Sequence, residues 1–159
     1  MGNIIDQFFE IGETEFQFLV AEFGCRKKAN KTDVEVYRLP YENETTKVEI
    51  GFEWREQYIY VLLGRRDREH LNAPGRLPRL EDEMVAFNLE DVAVLHTGKH
   101  AVDLERFGKA LTVRDVKQIL SAYARALQNN AAEILRGDFS TFPELEKIVR
   151  KRMKDHALG

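Results

Sequence analysis

The sequence predicts an α+β fold: an N-terminal helix, an antiparallel meander of three to four strands, then a long helix and a short one. Three observations predict it. Apolar residues recur every three or four positions at both ends of the chain, a period of two governs the middle, and the strands cluster instead of alternating with helices. With 159 residues, the chain is expected to form one domain spanning 1–159.

The first helix is expected over Asn3–Phe23. Ile5, Phe8, Gly12, Phe16, Leu19 and Phe23 share one face, acids fill other positions, and Gly24 stands where a left-handed residue closes a helix. Gly12 weakens the middle by about 1 kcal/mol relative to alanine, so a break is expected there if the helix breaks at all.

The strands come next. Val48, Ile50, Phe52 and Trp54 alternate with Glu49, Gly51, Glu53 and Arg55, the pattern of a strand with one buried face. A turn at Arg55-Glu56-Gln57 leads into Tyr58–Leu63, apolar on both faces. Val34–Leu39 is read as a third strand ending at Pro40, with Glu42–Thr45 as the turn after it; Cys25–Ala29 is a candidate fourth. Short connections make the pairing antiparallel.

Arg65–Leu80, with Pro74, Gly75 and Pro78, reads as a loop. Leu89–His96 fits a short helix or a strand, and Gly98 ends it. Thr112 and Asp115 have the spacing of a capping box, and Val116, Leu120, Tyr123, Leu127, Ala131 and Ile134 carry an apolar stripe to about Leu135. Thr141-Phe142-Pro143-Glu144 is a second capping box, opening a last helix with Leu145, Ile148, Val149 and Met153 on its apolar side.

Composition narrows the function classes. Cys25 is the only cysteine, so an internal disulfide is impossible and a reducing compartment is expected. No run approaches the roughly 18 apolar residues of a membrane span, and no signal sequence is visible at the N-terminus. Gly2 follows Met1, but Asp6 stands where myristoylation wants Ser or Thr. The expected location is the cytoplasm, without membrane contact. Net charge is −3, and it is segmented: residues 81–105 hold seven acids and one base, residues 61–80 five arginines and two acids, residues 106–159 eleven bases and six acids.

The motifs that would carry chemistry do not assemble. His96 and His100, four apart and followed by Asp103, have the spacing of a zinc pair on a helix, but Gly98 interrupts that helix and Thr97 stands where the zinc-protease pattern needs Glu. The only serines, Ser121 and Ser140, lie in helical or capping contexts, and no glycine-rich phosphate loop occurs. The reading is therefore a protein without cofactor or metal, leaning away from catalysis; the enzyme alternative is a site built from unfamiliar residues.

Phe18-Leu19-Val20-Ala21-Glu22-Phe23-Gly24 at one end, and Ala131–Phe139 with Phe142-Pro143-Glu144-Leu145 at the other, resemble small uncharacterised bacterial α+β proteins, some of them immunity-protein-like partners of toxins. That resemblance implies a binding role and carries no catalytic residues. A protein partner is expected, with Glu81, Asp82, Glu83, Glu90 and Asp91 as the acidic surface that would meet a basic one. If Tyr58 and Tyr60 line an uncovered sheet face, they make an apolar patch suited to a homodimer; the alternative is that the chain's own helices cover them. Nucleic acid is the alternative partner, through the Arg65–Arg79 loop (Arg65, Arg66, Arg68, Arg76, Arg79) and the basic C-terminal helix with Lys147, Arg150, Lys151, Arg152 and Lys154.

Overall fold

The computed structural model describes residues 3–68 and 83–158. It is an α+β arrangement in which helices lie against one face of an antiparallel sheet.

The chain enters through α1 (Ile4–Glu15), whose first turn is capped by Asn3: its Oδ1 accepts the Asp6 N–H at 2.8 Å. The single helix expected to Phe23 breaks, but at Phe16, not at Gly12. α2 (Gln17–Phe23) follows and ends at Gly24, whose φ of +66° lets the Cys25 N–H reach back to the Leu19 carbonyl at 3.0 Å. Gly12 is required for a different reason. A Cβ there would lie 2.3 Å from Leu39 Cδ1, so glycine is what lets α1 settle onto the sheet.

The sheet runs β1-β3-β4-β5-β6, with β2 also beside β3, and every pairing is antiparallel. The expected meander is β3 (Val36–Glu42), β4 (Thr46–Glu53) and β5 (Tyr58–Arg65). β1 (Arg26–Lys27) falls within the candidate strand at Cys25–Ala29. β2 (Lys31–Asp33) and β6 (Ala86–Asn88) have no signature in the sequence, because three residues are too few to display a period of two. β3 also continues through Pro40 to Glu42. The Pro40 carbonyl accepts the Lys28 N–H at 2.9 Å, so the edge of the proline that lacks an N–H faces β1 and β2. The flanking ladder is interrupted there and tolerates it.

The long helix expected to Leu135 divides after Asn130 into α4 (Val113–Asn130) and α5 (Ala132–Leu135). Its capping box is made in full: the Thr112 hydroxyl accepts from Asp115 N–H at 3.1 Å, and the Asp115 carboxylate from Thr112 N–H at 2.9 Å. The segment that fits helix or strand by sequence is helical, α3 (Leu89–Thr97), capped by Asn88. The box expected at Thr141 is not made. The Thr141 hydroxyl is buried without a hydrogen-bond partner among the described residues, and α6 (Phe142–Leu158) starts from backbone bonds, Phe142 N–H to Phe139 O and Leu145 N–H to Thr141 O.

The core lies between the helices and the inner sheet face of Leu39, Tyr41, Val48, Ile50, Phe52, Ile59, Val61, Leu63 and Phe87. α1 covers the β3 side, with Phe8 edge-on to Phe52 at 5.5 Å and Phe9 to Tyr37 at 6.2 Å. α4 packs beside α1, and Tyr123 from α4 donates to the Ile59 carbonyl at 3.3 Å. α3 packs against α4, β5 and β6, and α6 against α3, with Phe142 edge-on to Phe87 at 4.8 Å. The layer order α1-α4-α3-α6 follows from these contacts, so α1 and α6 occupy opposite flanks.

Candidate functional site: the open face of the sheet

Strand alternation turns Tyr58, Tyr60, Leu62, Glu49, Gly51 and Arg38 away from the core, onto the face opposite the helices. In sequence Tyr58–Leu63 is apolar on both faces; in space the outward set is a tyrosine pair and a leucine, with Tyr60 only 8% exposed and Tyr58 and Leu62 half-buried. Gly51 is where Tyr60 lies down: a Cβ on Gly51 would stand 2.1 Å from the Tyr60 Cζ. The flattened ring places its hydroxyl against Glu49 Oε2 at 2.9 Å, and Arg38 Nε approaches the same oxygen at 3.6 Å. Burial, then the adjacent Glu49 carboxylate, push the Tyr60 phenol up to about 12, so it remains a hydrogen-bond donor throughout the neutral range.

Tyr58 extends the group. Its ring stacks on Tyr60 with centroids 6.0 Å apart and meets the edge of Phe107 at 4.9 Å; Asn88 Nδ2 donates to its hydroxyl at 3.2 Å. Phe107 is held there by the β4–β5 turn. Gln57, at φ +47°, accepts the Leu111 N–H on Oε1 at 2.7 Å, and its Nε2 donates to the Trp54 carbonyl at 2.7 Å. Trp54 is 40% exposed at the same end. Sequence reading names the tyrosines but misses Gln57, because a long-range side-chain to backbone bond leaves no local pattern.

The acidic residues expected to meet a partner are placed differently. Glu81 and Asp82 lie outside the described residues. Glu83 is exposed but 3.3 Å from Arg65 and 3.6 Å from Arg68. Asp91 accepts both of its bonds from Arg152 Nη2, at 2.9 and 3.0 Å. Glu90 is only 6% exposed; its Oε1 accepts the Ala101 N–H at 2.7 Å, while Oε2 is 3.3 Å from His100 Nδ1. Burial raises the Glu90 carboxyl above its ordinary range, and its hydrogen bond from Ala101 and the nearby His100 oppose that rise. An acid so enclosed offers little charge to a partner.

The remaining candidates also fall into place. His96 is exposed on the last turn of α3, and His100 turns back to Glu90; among the described residues no group of three histidine, cysteine or acidic side chains gathers where it could hold a metal. Cys25 is buried and its thiol pushed up to about 11 by that burial, which leaves it protonated and unreactive at neutral pH. Of the arginine loop, Arg76 and Arg79 lie outside the described residues. Arg65 clasps Asp67 through two bonds of 2.7 and 2.8 Å, and Arg66 donates to the Asn43 carbonyl at 2.6 Å. Arg65, Arg66, Asp67, Asp138 and Ser140 line a cleft of about 710 Å³ beside the β3–β4 turn, in which both charge signs are present. Among the described residues no helix is long and apolar enough to cross a membrane. No protein-family model, curated protein or solved structure matches the chain.

Proposed function

We propose that this chain is a non-enzymatic protein-binding domain, immunity-like in kind, that meets a protein partner on the open face of its sheet. The observation that carries the reading is the ordered group on the side away from the helices, in which half-buried Tyr58, Glu49 and Arg38 surround the buried Tyr60. Tyrosine and arginine are the residues that concentrate binding energy in protein interfaces. Here their rotamers are held by Gly51, Glu49, Asn88 and Phe107 before any partner arrives, so little ordering entropy remains to be lost on binding. In a bacterial setting the partner would be a toxin that the domain masks.

The test uses the full chain as bait in its source cell, beside two variants. Leu62→Glu puts a charge in the centre of the open face, and Lys117→Ala alters an exposed position on α4. Matched thermal melts confirm that both variants fold. A specific protein retained by the wild type and by Lys117→Ala, but reduced at least about tenfold by Leu62→Glu, supports the reading; tenfold corresponds to about 1.4 kcal/mol. A protein held equally by all three would mean that the interface lies elsewhere, and repeated recovery of no specific protein rejects the binding role.

A further inference from the structure

Two helices on opposite flanks carry matched stripes of opposite charge. On α6, Lys147, Lys151 and Lys154 stand at i, i+4 and i+7; all three are exposed, and none has an ion-pair partner among the described residues. On α1, Asp6, Glu10 and Glu13 stand at the same spacing and are also exposed. Among the described residues, only Glu13 of these acids approaches a cation, Lys27 at 4.0 Å. Each stripe runs about 10 Å along its helix. The end of α6 is tied to α3 by the Arg152–Asp91 pair, but residues 151–157 are all exposed, and Met153 and Ile148, beside the lysine stripe, are 54% and 41% exposed. A helix end without packing has little stability of its own, so a covering surface would stabilise it.

We propose that the chain self-associates head to tail, the α6 lysine stripe of one copy docking on the α1 acidic stripe of the next. The complementary surface is present in the chain itself. A polyanion would be opposed by the net charge of −3. A membrane surface would need a wide apolar face along the helix, whereas Ile148 and Met153 alone among the large apolar residues described on α6 are exposed, and Phe142 and Leu145 are turned into the body. Because α1 and α6 lie at opposite ends of the helix layer, one copy cannot satisfy its own stripes, and the contact is heterologous: assembly continues beyond a pair. Exposed ion pairs are individually weak, so the association is weak and strongly dependent on salt. The contact is independent of the sheet face assigned to a protein partner.

Sedimentation equilibrium of the full chain tests it. At ~0.01 M salt, where charges act over about 30 Å, the average mass is expected to rise continuously with concentration above 18.5 kDa; at ~1 M salt, with a range of about 3 Å, it returns to the monomer. The triple variant K147E/K151E/K154E and the triple variant D6K/E10K/E13K are each expected to remain monomeric at low salt, and their equimolar mixture to associate again. A wild type monomeric throughout, triple variants that associate like the wild type, or a mixture that stays monomeric would each overturn the proposal. So would a lysine-dependent, salt-sensitive complex with a labelled DNA duplex or with phosphatidylglycerol vesicles, if the protein alone stays monomeric. Circular dichroism of each variant verifies the fold, and a K147Q/K151Q/K154Q variant replaces the first if the charge reversal unfolds it.

Discussion

The Tyr60 ring occupies the space that a side chain on Gly51 would need, with Cζ 2.1 Å from the position of a Cβ. The missing side chain on β4 therefore sets the orientation of the aromatic group on β5. Gly51→Ala is expected to lift the ring and break the Tyr60–Glu49 hydrogen bond, destabilising the fold by about 1 kcal/mol, since the outer end of the ring can turn aside. Chemical denaturation measures the loss. If the open face binds a protein, the same variant should weaken binding under conditions where it remains folded.

Asn43 ties three elements together from the β3–β4 turn. Its Nδ2 donates to the Phe23 carbonyl at 3.0 Å and the Leu135 carbonyl at 2.9 Å, and its Oδ1 accepts from Thr45 and Thr46 N–H. Asn43→Ala leaves the ends of α2 and α5 without these donors. The expected loss is about 2–4 kcal/mol, from two or more hydrogen bonds at roughly 1 kcal/mol each plus carbonyls left unsatisfied. Asn43→Asp keeps the acceptor but sets a carboxylate oxygen, which cannot donate, against the Phe23 and Leu135 carbonyls, so it should lose at least as much stability as Asn43→Ala. Urea denaturation of the two variants beside the wild type checks the order.

Where the signal is local, sequence and structure coincide. The alternation from Val48 becomes β4, Gly24 closes α2, and Thr112 with Asp115 caps α4. Where placement depends on distant residues, sequence reading fails or stays silent. Gly12 marks a possible break in α1, but it is a contact with Leu39, twenty-seven residues later. Thr141 and Glu144 have the spacing of a capping box, yet the Thr141 hydroxyl is buried without a partner among the described residues. Glu90 sits in an acidic run that resembles a solvated surface, but α3 buries Leu89, Glu90, Val92 and Ala93 and so encloses the acid. The face of Tyr58 and Tyr60 is legible only as a question, because an apolar run cannot state which of its sides is covered.

The β2–β3 hairpin turns through two residues with positive φ, Val34 at 38° and Glu35 at 65°, between the paired Asp33 and Val36. Such turns favour Asn-Gly, and a β-branched residue in the left-handed region is strained. Val34 is 84% exposed, so no packing offsets the strain. The double variant V34N/E35G is expected to raise stability by about 1 kcal/mol. A thermal midpoint unchanged or lowered relative to wild type would contradict this account of the turn.

Glu90 should leave a mark on the pH dependence of stability. Burial raises its carboxyl above the ordinary value of 4.5, so the folded state binds this proton more tightly than the unfolded chain. The resulting stability is fully present below about 4.5 and lost as pH rises through the raised value. His100, 3.3 Å away, and the Ala101 N–H reduce the effect without reversing it. Glu90→Gln keeps an acceptor for Ala101 and removes the titration, so its stability relative to wild type should improve as pH rises through that window. Glu90→Leu should instead cost about 1–3 kcal/mol at every pH where the native carboxyl is protonated, because the Ala101 N–H is left without an acceptor. Urea denaturation of the three proteins across the range from pH ~4 to ~8, which brackets the ordinary carboxylate and histidine values, separates the two effects. A difference between the Glu90→Gln variant and the wild type that stays flat with pH would show that the buried carboxyl does not titrate as its surroundings require.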